Sequence, residues 1–99
     1  MDHIVQLLLG ILISVIGLVN ISGNISTIHS YNRKRVREED VPHYGRIVGS
    51  GTLIIGIGLI AAYVLNITNS SVSEDWALIP ALILGVILIG YGQLKYNKL

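Results

Sequence analysis

The sequence predicts an all-α integral membrane protein in which three transmembrane helices form an antiparallel bundle. The chain has 99 residues, of which 52% are hydrophobic and 13% are charged, and its mean hydropathy is +0.65. A soluble domain carries about 25% charged residues, so this chain has too little charge to cover a water-facing surface. The apolar residues also occur in long blocks rather than at amphipathic spacing. Lipid is therefore the expected solvent, and residues 1–99 are expected to form a single membrane domain.

The first apolar block, residues 4–22, contains no ionisable residue. As a helix this block would extend about 28 Å, close to the ~30 Å hydrocarbon thickness of a bilayer. We therefore expect a transmembrane helix at about residues 4–24. Apolar residues beyond it are spaced so that one continuous helix could reach from Ile4 to about Lys34, with a kink at Gly23. A cleaved signal peptide is the rival interpretation, and it is disfavoured because the basic residues follow the apolar block instead of preceding it.

The second helix is expected to begin near Val41. Asp40 is a good N-cap residue, and Pro42 is tolerated in a first turn because its missing N–H is not needed there. The membrane-spanning part of this helix is predicted at about residues 45–66.

A polar loop at residues 67–75 separates the second helix from a third one at about residues 76–94. Ser71 with Glu74 three residues later fits a capping box, and Ser73 is an alternative cap.

The basic residues predict the orientation in the membrane. All seven Lys and Arg lie in or beside the loop 29–44 or in the C-terminal tail, which share one side of a three-span protein. By the positive-inside rule that side is the cytoplasm, so the N-terminus lies outside the cell membrane and the C-terminus inside. The residues expected to fix the topology and to contact lipid headgroups are Arg33, Lys34, Arg35, Arg37 and Arg46.

Aromatic residues are expected to anchor the bundle at its two interfaces. Trp76 and Tyr63 are assigned to the outer interface. The inner interface is assigned four tyrosines, namely Tyr31, Tyr44, Tyr91 and Tyr96.

Small and polar residues predict which helix faces pack together. Such residues allow close approach of membrane helices, and buried amides require protein partners. On the first helix these residues are Gln6, Gly10, Ser14, Gly17, Asn20 and Asn24. On the second helix one face carries Gly45, Gly49, Thr52 and Gly56, and the roughly opposite face carries Gly51, Gly58 and Ala62. On the third helix the corresponding residues are Ala77, Ala81, Gly85 and Gly92. A central second helix is the simplest arrangement, although one glycine face could instead mediate a homo-oligomer or dock a membrane protein partner.

The sequence offers little chemistry, and we expect neither an enzyme nor a cofactor or a nucleic-acid partner. The absence of Cys excludes a disulfide framework and a Cys-based zinc site. His29 and His43, with Glu38 and Asp40 nearby, could in principle ligate a metal, but their spacing fits no recognised site. The polar residues of the first helix could line a narrow path, although a packing seam is the favoured interpretation because no charged residue lies at membrane depth.

The middle of the chain resembles an uncharacterised family of small prokaryotic membrane proteins. The similarity covers about residues 25–60 and rests on the pair Tyr31-Asn32, the charged run 33–40, the pair Gly45-Arg46, and Gly49. This family is related in layout to the immunity protein of the bacterial sporulation-delay toxin. The resemblance implies a cell-membrane protein without an assigned activity, and it adds a role in binding or signalling as an expectation.

Three function classes follow from these expectations. The leading one is a non-enzymatic membrane protein that acts through helix or loop contacts with a partner. The second is a small transport or channel component that acts as an oligomer. The third is a toxin-immunity or signalling protein.

Overall fold

The computed structural model of the chain describes residues 3–23, 36–68 and 71–97. These residues form three long helices, each long and apolar enough to cross a membrane, which confirms the predicted all-α fold class. The elements in chain order are α1 (His3–Ile21), a 3₁₀ turn (Glu38–Asp40), α2 (Val41–Ile67), α3 (Asp75–Gly92) and a π turn (Gln93–Asn97).

Helix α1 ends earlier than the sequence suggested. Its last residue is Ile21, and the Gly23 N–H then donates to the Asn20 carbonyl over 3.0 Å. Gly23 has φ of 105°, a left-handed conformation that glycine adopts without steric cost and that ends an α-helix. The helix therefore does not continue unbroken through Gly23, and the predicted continuation toward Lys34 falls on residues outside the described part of the chain. Residues 24–35 lie outside the described part of the chain.

Helix α2 begins at Val41, with Pro42 in its first turn. Asp40 occupies the N-cap position, but its side chain makes no capping hydrogen bond, because the preceding 3₁₀ turn leads the backbone directly into the helix. At ~1.5 Å per residue, the 27 residues of α2 extend about 40 Å, so this helix is longer than a bilayer core.

Helix α3 begins at Asp75 without the predicted capping box. The backbone N–H of Asp75 donates to the hydroxyl of Ser73 over 3.2 Å, so the alternative cap residue is the one that contacts the start of the helix. At the other end, the helix widens into the π turn over Gln93–Asn97. Such turns are rare and are frequent at functional sites.

The three helices lie antiparallel, with α2 between the other two. Helix α1 packs along one side of α2 and α3 packs along the other, whereas the described residues of α1 and α3 have little contact with each other. The resulting body measures 47 × 20 × 19 Å. The outward sides of α1 and α3 expose a nearly continuous set of Ile, Leu and Val side chains, as expected for surfaces that face lipid.

Candidate functional site

The interface between α1 and α2 is formed by backbone-to-backbone contact at glycines. A Cβ atom on Gly17 would lie 2.6 Å from the Leu53 nitrogen, and one on Gly49 would lie 2.6 Å from the Gly17 carbonyl oxygen. A Cβ on Gly10 would lie 2.8 Å from the Ile60 side chain. Real Cβ atoms do not come this close to other atoms, so the two helices could not approach to this distance with larger residues.

Polar side chains lie within the same interface. Gln6 is largely buried, and its amide donates to the Leu59 carbonyl over 3.2 Å. Asn20 is 1% exposed. The Ser14 hydroxyl lies against Gly56 and has no hydrogen-bond partner among the described residues. Within residues 3–23, the seam predicted along α1 therefore lies against protein atoms of α2.

The opposite side of α2 contacts α3 in a similar way but with aliphatic neighbours. A Cβ on Gly51 would lie 2.6 Å from the Gly85 carbonyl oxygen, and one on Gly85 would lie 2.7 Å from the Gly51 carbonyl oxygen. Gly58 meets Ala81 in the same interface. Gly45, which the sequence predicts on the face of α2 that also carries Gly49, is buried as well.

We use the term charged end for the end of the bundle that contains the 3₁₀ turn, the start of α2 and the π turn, namely residues 36–46 and 91–97. Arg37 and Arg46, two of the predicted headgroup contacts, are exposed there. Arg37 lies 3.6 Å from Glu39, and the two side chains are 64% and 73% exposed, so this ion pair contributes little to stability. The other predicted headgroup contacts, Arg33, Lys34 and Arg35, lie outside the described residues.

A buried tyrosine lies in the core of the charged end. Tyr44 is 0% exposed and packs with Val48, which corrects its assignment to the membrane interface. Its hydroxyl accepts a hydrogen bond of 2.9 Å from the Gln93 amide. Buried tyrosine hydroxyls normally require such a partner, so this contact is what allows the side chain to be buried. Neither the core position of Tyr44 nor its contact with Gln93 was predicted from the sequence; the spacing of Tyr44 and Val48, four apart on one helix face, was the available signal.

Four exposed or half-buried side chains come together around the π turn at the charged end. The Tyr96 ring stacks on His43, with 6.2 Å between the ring centroids and 15° between the planes. The Lys95 ammonium donates to the Tyr91 hydroxyl over 3.1 Å. It also lies 5.5 Å from the centroid of the Tyr91 ring and 5.4 Å from that of the Tyr96 ring, within the range of cation–π attraction.

At the other end of the bundle, a polar contact joins α2 to the residue that precedes α3. The Asn66 amide, near the end of α2, donates to the Glu74 carboxylate just before α3. The predicted anchors differ in exposure here: Trp76 is 74% exposed, whereas Tyr63 is half-buried. Trp76, Ile79 and Pro80 line a shallow open groove on the surface of α3.

No group of three or more His, Asp or Glu side chains that could hold a metal ion occurs within residues 3–23, 36–68 and 71–97. His43 instead stacks on a tyrosine, and His29 lies outside these ranges. No family model, no curated protein and no solved structure matches this chain.

Proposed function

We propose that this chain is a non-catalytic, multi-pass protein of a prokaryotic cell membrane that acts through contacts of its charged end with a membrane protein partner. One observation carries the proposal: both glycine faces of α2 are occupied by helices of the same chain. Those faces are therefore not available to a second protein. What remains for recognition is the lipid-facing surface and the two ends of the bundle. The charged end is the one that exposes the described basic residues, namely Arg37, Arg46 and Lys95.

The proposed orientation places the charged end in the cytoplasm and the N-terminus outside. The support is the positive-inside rule, since the described Lys and Arg residues all lie at this end. Because the chain contains no Cys, single cysteines can report the orientation. In intact cells Ser71→Cys should react with a membrane-impermeant thiol reagent, and Ser30→Cys should react only after the cells are lysed. The reverse labelling pattern would refute this orientation.

The partner proposal is tested by photo-crosslinking in cells. A photoreactive residue in place of Glu39 should give a discrete protein adduct, because Glu39 is exposed at the charged end. The same residue in place of Ile83, which is 55% exposed on the lipid-facing side of α3, is the matched control and should give no such adduct. An adduct from Ile83 alone would move the partner surface to the membrane-embedded side.

A transport role is the alternative from a different class. The close contact of α1 with α2 at Gly10 and Gly17 supports the non-transport proposal, since the polar seam is occupied by packed atoms. Purified protein in liposomes should therefore produce no ion flux above that of empty liposomes. The resemblance to the family related to a toxin-immunity protein leaves immunity or signalling as a narrower form of the same partner-binding proposal.

A further inference from the structure

Lys95 is held in a defined position at the charged end. Its ammonium is hydrogen-bonded to the Tyr91 hydroxyl and lies close to both the Tyr91 and the Tyr96 rings. Tyr96 is in turn positioned by its stack on His43. Among the described residues, no carboxylate lies within ion-pair distance of Lys95. A fixed, exposed cation with no carboxylate beside it among the described residues is suited to binding an anion.

The donors of this group match the chemistry of a phosphate. The ammonium has three N–H donors, and the structure uses one of them for the Tyr91 hydroxyl oxygen. Because that hydroxyl accepts from Lys95, its own proton remains available to a further acceptor. Two donors 3.1 Å apart can therefore bind neighbouring oxygens of one phosphate group through charge-assisted hydrogen bonds.

The position of the group indicates where such a phosphate would come from. The apolar span of α3 and its π turn ends at Tyr96, which places Lys95 at the depth of lipid headgroups. Below it, an exposed stripe descends along one side of α3 through Tyr91, Ile87 and Ile83, residues four apart that share a helix face. Leu94, beside Lys95, is 69% exposed. An apolar stripe that leads to a fixed cation is the arrangement that accommodates an acyl chain and its headgroup together.

We propose that Lys95 and Tyr91, supported by Tyr96, bind the phosphate of an anionic phospholipid whose acyl chain lies along Ile83, Ile87 and Tyr91. The lipid occupies a defined binding site, and this binding is in addition to the general attraction of basic residues to an anionic surface. This proposal rests on the membrane span proposed above but not on the protein partner. The cysteine-labelling and crosslinking experiments can therefore fail without affecting it.

The test is native mass spectrometry of the full-length protein in detergent with equal amounts of phosphatidylglycerol and phosphatidylcholine. The wild-type protein should retain phosphatidylglycerol preferentially. Lys95→Gln should lower this retention about fivefold, the effect of one basic residue near an anionic headgroup. Tyr91→Phe should also lower it, although the net charge is unchanged. Lys95 and Tyr91 are exposed, so both variants should keep the size-exclusion profile of the folded protein.

Lys98→Gln removes the same charge from the same tail and serves as the control. It should keep the phosphatidylglycerol preference. The proposed binding site would be refuted if Tyr91→Phe retained as much phosphatidylglycerol as the wild type. It would also be refuted if Lys98→Gln and Lys95→Gln lost equal amounts of phosphatidylglycerol, since general charge attraction would then explain the binding. Inorganic phosphate at millimolar concentration should not displace the bound lipid. Displacement by phosphate would overturn the assignment to a lipid and identify a soluble anion as the ligand.

Discussion

The two sides of α2 show how similar glycine contacts can serve two different interfaces. On both sides a glycine of α2 touches the carbonyl oxygen of a glycine on a neighbouring helix, and in both cases an added Cβ would lie 2.6 Å from that oxygen. The side facing α1 surrounds this contact with Gln6, Ser14 and Asn20, whereas the side facing α3 surrounds it with aliphatic side chains. Glycine sets the distance between the helices, and the polar side chains restrict which register of α1 can be satisfied.

This difference has a physical basis in the bilayer. Aliphatic contacts between helices gain little over contacts with lipid, so α3 is held by close packing and by one hydrogen bond near each end, between Gln93 and Tyr44 and between Asn66 and Glu74. Helix α1 carries amide groups that would be unsatisfied in lipid, so it is held both by packing and by polar contacts. Substitutions in the two interfaces separate these contributions.

The largest effect is expected for a bulky residue at a glycine contact. Gly85→Leu should destabilise the fold by about 3 kcal/mol, because the added atoms would overlap the Gly51 carbonyl and the Ile55 side chain. Gly90→Leu on the same helix is the matched control, since nothing lies within 4 Å of its Cβ position. Unfolding in mixed detergent and SDS, followed by circular dichroism, measures both. Equal losses in the two variants would contradict the glycine contact.

Removing a buried amide should have the next largest effect. Asn20→Leu should cost about 2 kcal/mol, because the side chain is fully buried in the polar interface and leucine differs from it in shape and chemistry. Gln6→Leu should cost less, about 0.6 kcal/mol, since only one interhelical hydrogen bond is lost. The same SDS titration measures both losses. A larger loss for Gln6→Leu than for Asn20→Leu would reverse the predicted importance of the two ends of α1.

At the charged end, Tyr44→Phe removes a hydroxyl while keeping the ring. The expected loss is about 1 kcal/mol, because the Gln93 amide loses its 2.9 Å acceptor. Tyr63→Phe is the control, since Tyr63 is half-buried and makes no hydrogen bond that the structure shows within its described residues. Equal stability of the two variants would mean that the Tyr44 hydroxyl adds nothing to the α2–α3 interface.

The smallest effect is expected for Ser14→Ala. The hydroxyl is buried against Gly56 without a hydrogen-bond partner among the described residues, so its removal should change stability by less than about 0.5 kcal/mol or increase it. A loss of more than about 1 kcal/mol would show that this hydroxyl makes a hydrogen bond in the membrane.

The sequence predicted the features that depend on local patterns. The apolar blocks predicted three helices, and the glycines of α2 suggested two faces, on which the structure places α1 and α3. The features it missed depend on tertiary contact. Burial of Tyr44 requires Gln93, which lies 49 residues away, and the cluster around Lys95 requires the π turn. A tyrosine beside arginines is typical of a membrane interface, and only the position of α3 moves Tyr44 into the core.

The most direct test of the central position of α2 compares alanine at Gly49, Gly51 and Gly90. In an exposed helix, Gly→Ala stabilises by up to about 1 kcal/mol, so Gly90→Ala should be neutral or stabilising. Gly49→Ala and Gly51→Ala should instead destabilise, because each new Cβ would lie 2.6 Å from a carbonyl oxygen of a different helix. The double variant should lose about the sum, since the two interfaces share no partner. Stabilisation by either Gly49→Ala or Gly51→Ala would contradict a helix packed on both sides by its own chain.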